Sequence, residues 1–563
     1  MMKLSHTEYP RPQLERDSYI NLNGEWDLSH SPIGSETKKH YKINVPFSPE
    51  SKASGLGNFI LQPDEELVYE REFELRTDFI KIITLLHFGA VDYSCICFIN
   101  GNEVGSHKGG FLPFYFDISS HIKIGKNTIQ LKVTDPTDTG NQSRGKQKLN
   151  RGGIWYTPQS GIWQTVWLES VSEDYIKDIK ITPNIDTESV FIQITTSSSN
   201  TTIQILDGDT IIAESSGTNT NIPIPNMEVW SPENPKLYRI LIKTSGDTVK
   251  SYFGMRKFSI GFDGKFKRLF LNNKPYFHNG LLDQGYWSEG LLTPPNGEEM
   301  EKEIKLMKDM GFNMLRKHIK IEPLRWYYHC DRLGILVWQD FVCGGGAYET
   351  WKVAYLPFIG WKNKDTKYKF LNRTDEDGRN EFINEMDQTV DLLKNTVSLA
   401  VWVLFNEGWG QFDSIQLTDK LRKLDDTRTI DSVSGWYDQG KDSSELKSLH
   451  LYYQKLKVPK NESRVIVLSE FGGYSLKTEG HVYDENKLFG YKILPDKKSL
   501  EKEYRSLIED QLIPLIEKGL SASIYTQVSD VEEEINGIVT YDRKMVKFDL
   551  ELIQELNSKL VYK

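Results

Sequence analysis

The chain carries only four cysteines in 563 residues, Cys95, Cys97, Cys330 and Cys343. None falls in a metal-type spacing, so the usual grounds for a thiolate metal centre are missing. The four read as free thiols, which fits a reducing compartment. Cys95 and Cys97, two residues apart, belong on one face of one strand. No apolar run approaches the roughly 18 residues of a membrane span. The opening Met1-Met2-Lys3-Leu4-Ser5-His6 lacks the apolar core of a signal peptide, and a cytoplasmic location is expected. There is no G-x-S-x-G nucleophile elbow. Gly344-Gly345-Gly346 lacks the Lys-Ser/Thr ending of a phosphate loop. Basic charge is not in excess either: 69 Lys and Arg face 79 Asp and Glu, a net charge of −10. That balance argues against a nucleic-acid surface and says little about a small neutral ligand.

What is present is an ordinary globular composition, 38% hydrophobic and 26% charged, with an unusual 12% of aromatics. Aromatic faces suit sugar rings, although β-rich cores absorb most of them. At about 150 residues per domain the length predicts three or four domains. Residues 1–172 alternate in short runs such as Leu67–Phe73, Lys81–Phe88, Ser94–Asn100 and Asn127–Val133, separated by turn signals such as Asn100-Gly101. That pattern predicts a β-sandwich or jelly roll. Between Thr137 and Gly152 runs a polar, glycine-rich loop too long for a plain connector. Residues 173–258 alternate again, over a length that suits a small immunoglobulin-like sandwich with a scaffold role.

From residue 259 strand-like and helix-like segments alternate to residue 563. The predicted strands are Tyr276–Leu282, Asn313–His318, Ile335–Phe341, Leu399–Asn406, Ile430–Gly435, Ser448–Tyr453, Val465–Ser469 and Ala522–Gln527. Met300–Met310 and the stretches 322–333, 375–395, 412–424, 498–518 and 546–560 read as helices. Eight strands in about 300 residues is the size of a (β/α)8 barrel, with the fifth and sixth helices short or irregular.

Chemistry in such a barrel sits at the C-terminal ends of the strands. In order, those ends offer Asn279 and Asp283; Arg316, Lys317 and His318; Trp338, Gln339 and Asp340; Asn406 and Glu407; Trp436 and Tyr437; His450, Tyr452 and Tyr453; Glu470; and Thr526, Gln527 and Asp530. Glu407 and Glu470 stand out, on the fourth and seventh strands. A protonated carboxylic acid beside a leaving oxygen, with an ionised carboxylate about 5 Å away, is the equipment for cleaving a glycosidic bond with retention. The ionised partner would also keep the acid's pKa raised. Trp409, Trp436 and Tyr452 could stack on a sugar or hold the carboxylates, though core packing is the simpler use of each aromatic taken singly. A metal reading through His318, Asp340 and His450 finds no i, i+4 histidine pair and no cysteine cluster, so no metal or other cofactor is expected.

The whole chain resembles glycoside hydrolase family 2, the family of β-galactosidases, β-glucuronidases and β-mannosidases. The residues that carry the resemblance are Leu22-Asn23-Gly24-Glu25-Trp26, G-I-W-Q-T-V-W-L-E at 161–169, W-S-P-E-N-P-K-L-Y at 230–238, Asn406-Glu407 and L-S-E-F-G-G around Glu470. The resemblance implies a jelly-roll sugar-binding-like domain, an immunoglobulin-like β-sandwich and a catalytic barrel, in a compact three-domain member. It implies Glu407 as acid/base, Glu470 as nucleophile, and a carbohydrate substrate. Asn406 would bond the sugar's 2-hydroxyl. Arg316, His318, Asp340 and Tyr452 fall near family site positions, with Tyr453 the alternative to Tyr452. Asp283, Trp436, Trp409 and Gln527 complete the expected substrate-binding set.

Two departures bear on the sugar. The eighth strand ends Y-T-Q-V-S-D, where many β-galactosidases place a tryptophan. After Glu470 the only Asn-x-Lys is Asn557–Lys559 in the terminal helix, and that triplet reads the sugar acid in glucuronidases, so its absence from the barrel mouth argues against a uronide. A β-galactoside is the first expectation, with a β-glucoside, β-mannoside or arabinoside as alternatives. A carbohydrate-binding protein without catalysis is the reading from another class. Exposed aromatics on the jelly roll make a homo-oligomer an open expectation.

Overall fold

The computed structural model describes residues 6–440 and 442–562. In the first domain a six-stranded antiparallel sheet packs on a four-stranded one. Their apolar faces meet in a core of Trp26, Leu28, Leu67, Tyr69, Leu86, Phe88, Ile129 and Leu168. Cys95 and Cys97 are buried in that core while Ile96 between them is exposed, as strand alternation requires. All four cysteines are buried and free. The second domain is a sandwich of a three-stranded and a four-stranded sheet. Isoleucine dominates its core, including Ile181, Ile192, Ile203, Ile205, Ile240 and Ile242.

The third domain is the barrel. Its strands are β1 (His278–Asp283), β2 (Met314–Lys317), β3 (Leu336–Asp340), β4 (Leu399–Asn406), β5 (Thr429–Ser434), β6 (Leu446–Leu451), β7 (Val465–Gly472) and β8 (Leu520–Thr526). All pair in parallel, in the order β5-β4-β3-β2-β1-β8-β7-β6. The apolar strands are buried on both faces, inside by the barrel and outside by helices, as parallel strands demand.

Among the described residues no backbone ladder between β5 and β6 closes the barrel. Side chains serve the edge instead. Ile430 N donates to Glu445 Oε2 at 2.8 Å and Ser432 N to Ser444 Oγ at 3.1 Å. Ser448 Oγ donates to Asp431 Oδ2 at 2.7 Å across the seam. Buried backbone donors must find some acceptor, and here carboxylates and hydroxyls replace strand carbonyls.

Helices Gly297–Asp309, Leu324–Leu333, Glu376–Leu393 and Ser414–Leu424 follow the first four strands. Asn296 and Asp375 cap two of them, accepting from Glu299 N and Gly378 N. Among the described residues no helix lies between β5 and β6 or between β6 and β7. Those two connections are simply loops, where short or irregular helices were expected. Phe258, Leu269 and Leu271, from strands Phe258–Phe262 and Lys267–Leu271, join Met314, Trp338, Val401, Val467 and Ala522 in one cluster. One end of the barrel is therefore filled with apolar side chains. Polar groups collect at the other, where the strands end. No described helix is long and apolar enough to cross a membrane.

Candidate active site

Arg316, on β2, organises the polar end of the barrel. Its Nε and Nη2 donate to the two oxygens of Asp340 on β3, each at 2.9 Å. Nη2 also reaches Asn406 Oδ1 at 2.8 Å. Nη1 donates to the Ser469 carbonyl at 3.1 Å and to Glu470 Oε1 at 3.3 Å. One fully buried guanidinium thus ties β2, β3, β4 and β7 together. The planar fork and permanent charge of arginine suit that task. Burial pushes the Asp340 carboxyl up to about 6 despite the arginine beside it.

Glu407 follows β4 and has φ of +49°, with Gly408 at +73°. A left-handed non-glycine residue costs on the order of 1–3 kcal/mol and persists where the surroundings impose it. Here the Glu407 N–H still bonds Ser434 O at 2.9 Å, and Trp409 N bonds Asn406 O at 2.9 Å. The tight turn aims the carboxylate over the barrel mouth. Glu470 arrives by another local irregularity. Leu449 on β6 pairs with Leu468, but His450 pairs with Glu470, so Ser469 is skipped. Ser469 Oγ meets Ser434 and Ser448 at 3.0 and 2.5 Å inside the barrel. Strict alternation would send the next residue outward; the slipped register turns Glu470 to the mouth instead.

The two carboxylates converge on His450. Its Nδ1 lies 2.7 Å from Glu407 Oε1 and 3.5 Å from Glu470 Oε2, and its Nε2 lies 2.9 Å from Ser434 Oγ. One donor atom from each of Glu407, His450 and Glu470 lies within 4.8 Å of the others. The trio could in principle ligate an ion, and it is not the His318, Asp340 and His450 set that the sequence offered. The Tyr452 hydroxyl donates to Glu470 Oε2 and contacts Thr526 Oγ1 at 3.1 Å. The Tyr452 ring stacks on Tyr491, centroids 4.0 Å apart. Burial first, then the charge of Glu470, raise the Glu407 pKa, while His450 opposes them. Burial and the nearby cations Lys146 and Arg316 hold His318 in its neutral form, its pKa lowered.

A second tier stands behind these groups. His318 Nδ1 meets Gln284 Oε1 at 2.9 Å, Gln284 donates to Gln527 at 2.8 Å, and Gln527 to Asn536 at 2.8 Å. Asn536 donates to Glu534 at 3.0 Å, and Tyr156 of the first domain donates to Glu534 at 2.5 Å. The loop between 137 and 152 docks beside it. Arg144 N and Gly145 N both donate to Cys343 O, at 2.9 and 3.0 Å. Arg144 Nη1 donates to Gly345 O at 2.5 Å. Lys146 Nζ lies 5.1 Å from the Tyr156 ring centroid and 5.7 Å from that of Trp409.

Three models of glycosyl hydrolases family 2 match consecutive parts of the chain. They are the sugar binding domain over 13–169, a second family 2 domain over 174–256 and the TIM barrel domain over 265–559. The chain belongs to glycosyl hydrolase family 2. Among curated relatives, a Formosa agariphila protein named provisionally as a β-glucuronidase is 26% identical over 75% of this chain and 52% of its own length. A Photobacterium profundum β-galactosidase is 25% identical over 69% of this chain and 36% of its own. This family 2 chain thus spans about half or less of the length of those relatives. The Dictyoglomus thermophilum β-D-glucuronidase structure superposes with a TM-score of 0.77 at 18% identity, covering 98% of both chains. A family 2 β-galacturonidase structure from Eisenbergiella tayi, bound to glycerol, gives 0.69 at 19% identity, over 99% of this chain and 98% of that one. These two likenesses speak for the fold.

Within this family 2 barrel, the expected site residues divide. Glu407, Glu470, Asn406, Arg316, Asp340, Tyr452 and His318 surround one space, and Trp436 packs edge-on against His450 with centroids 5.3 Å apart. Tyr453 is exposed. Trp409 is buried with Ile319 and Cys343 and builds the wall rather than offering a free face. Gln527 sits one tier back, bonded to Gln284 and Asn536. Asp283 is a correction. It pairs in register with Lys317 and bonds Lys317 Nζ at 2.6 Å, and that ammonium lies 4.2 Å from the Trp326 ring on the helix outside the barrel. Arg316 points in, so Lys317 and its partner point out. Sequence reasoning did not single out His450 as a partner of Glu407, nor Glu534, Tyr491, Tyr156 or Lys146. The length and polarity of the 137–152 loop were the only signal for Lys146.

Proposed function

We propose that this family 2 chain is a retaining exo-β-glycosidase. The observation that carries the reading is the Glu407–Glu470 pair, with carboxylate oxygens within 4.8 Å. Retaining glycosidases hold their two carboxyl groups about 5–5.5 Å apart, whereas inverting ones need room for a water. The roles follow from the surroundings. Glu407, with its raised pKa, is the proton donor. Glu470, held by Arg316 and Tyr452, is the nucleophile. Its oxygen bonds to the anomeric carbon as the aglycone oxygen takes the Glu407 proton and leaves. Water then gives its proton to Glu407, bonds to the anomeric carbon and releases Glu470. Asn406, held through its Oδ1 by Arg316 and lying beside His318, turns its amide nitrogen to the sugar's 2-hydroxyl.

A β-galactoside remains the first glycone by frequency in the family. The names of the relatives support a β-galactoside or a β-glucuronide. A panel of p-nitrophenyl β-glycosides tests the reading. Wild type is expected to cleave at least one, with retention visible by NMR. Glu470→Ala with azide is expected to yield an α-glycosyl azide, and Glu407→Ala with azide a β-glycosyl azide from an activated aryl glycoside. Binding of sugars without cleavage of any panel member would return the protein to the carbohydrate-binding class.

A further inference from the structure

Four lysines are buried among the described residues: Lys146, Lys317, Lys320 and Lys547. Three have a carboxylate oxygen close by, Asp283 at 2.6 Å, Glu322 at 2.7 Å and Asp530 at 2.6 Å respectively. Lys146 is 6% exposed and forms no such ion pair with any described residue. Its hydrogen bond is to the Tyr156 hydroxyl, at 3.4 Å, which leaves donors unused. The rings of Tyr156 and Trp409 return only part of the lost hydration through cation–π attraction. Burying a lysine side chain without a carboxylate partner carries a desolvation penalty, so the arrangement points to a negative partner that arrives with the substrate.

The location says where that partner sits. The Trp409 ring is two residues from Glu407 and 6.0 Å from the His318 ring. A small cavity of about 10 Å³ is bounded by Lys146, Gln284 and His318 together. The charge of Lys146 acts on both Glu407 and His318. Glu534, which shares the Tyr156 hydroxyl with Lys146, is engaged by Tyr156 and Asn536.

We infer that Lys146, carried by the first domain, is a substrate-recognition residue for a negatively charged substituent on the sugar bound between Glu407 and Glu470. The inference rests on the glycosidase reading and moves its substrate from the neutral galactoside that family frequency favours to an acidic glycoside, whose acid Lys146 would read in place of the Asn-x-Lys triplet missing from the barrel mouth. A hydroxyl would be served by an amide at far smaller burial cost, whereas a carboxylate or phosphate supplies both the charge and the acceptors that Lys146 lacks.

The test compares wild type, Lys146→Met and Lys146→Arg on matched p-nitrophenyl β-glycosides. One arm is neutral, galactoside and glucoside; one carries a carboxylate, galacturonide and glucuronide; one carries a 6-phosphate. Wild type is expected to prefer an acidic member, and the arm preferred tells carboxylate from phosphate. Lys146→Met should lower kcat/KM on that member by about 10²-fold and on its neutral counterpart by less than about 5-fold, with partial rescue in Lys146→Arg. A wild type that prefers neutral glycosides, or a Lys146→Met that slows both arms equally, overturns the inference while leaving the glycosidase reading intact. If nothing is cleaved, that reading fails. Calorimetric binding of galacturonate and glucuronate against galactose and glucose, in wild type and Lys146→Met, then decides the inference alone.

Discussion

His450 Nδ1 stands 2.7 Å from Glu407 Oε1 and 3.5 Å from Glu470 Oε2, so one imidazole touches both carboxylates of the site. Its effect on Glu407 opposes that of Glu470: the ring favours the ionised carboxylate and the neighbouring glutamate disfavours it. The balance leaves Glu407 raised. In its proposed role of proton donor Glu407 must be protonated, and that form is lost as pH rises through the raised pKa, so kcat/KM should fall on the alkaline side. Replacing His450 with alanine removes a stabiliser of the ionised form and should move this limb to higher pH. Glu470→Gln removes a negative charge and should lower the Glu407 pKa, measurable by ¹³C NMR of the labelled carboxyl. Shifts of the same sign in both variants would contradict the assignment.

Tyr452 offers a cleaner lesion. Its hydroxyl bonds Glu470 while its ring stacks on Tyr491. Tyr452→Phe keeps the stack and deletes the bond. A hydrogen bond to a charged group is worth about 1.5–3 kcal/mol, so a loss of about 10- to 100-fold in kcat is expected with little change in thermal stability. Stopped-flow burst kinetics will show which half-reaction slows.

Asp283 and Asp340 are both buried aspartates at barrel strand ends, yet they should behave differently. Asp283→Asn leaves Lys317 without this partner outside the barrel and should cost stability while KM stays within about 2-fold of wild type. Asp340→Asn disturbs Arg316, and through it Asn406 and Glu470, and should cost activity as well. Breaking a buried pair costs about 3–5 kcal/mol, which denaturant titration resolves.

Stability should also depend on pH through the first domain. Burial pushes Glu50 from 4.5 up to about 7, although Ser160 N and Oγ donate to it. Because the folded pKa lies above the unfolded one, the folded state holds this proton more tightly. Its contribution is full below the unfolded pKa of 4.5 and is lost as pH rises through about 7. The thermal midpoint should fall across that window, and Glu50→Gln should flatten the fall.

The barrel was legible because its strands are apolar runs that stop at chemistry. Leu399–Asn406 is β4 to the residue, and the turn that follows carries Glu407. The other strands shift by a few residues at their ends, and β7 runs on past Glu470 to Gly472. The loops beside β6 were harder, since loops stand where helices were expected and the open β5–β6 edge is served by acceptors on Ser444 and Glu445, which no periodicity announces.

By itself the sequence determined the three domains, the eight strands and the two glutamates, because hydrophobic period and strand termini are written along one dimension. Tertiary structure alone decided the facing of those residues. A register slip turned Glu470 to the mouth, pairing with Lys317 turned Asp283 away, and docking of the first domain brought Lys146 to Trp409. Each depends on partners far away in the chain, where a one-residue shift reverses a side chain and a docked loop carries a lysine across domains.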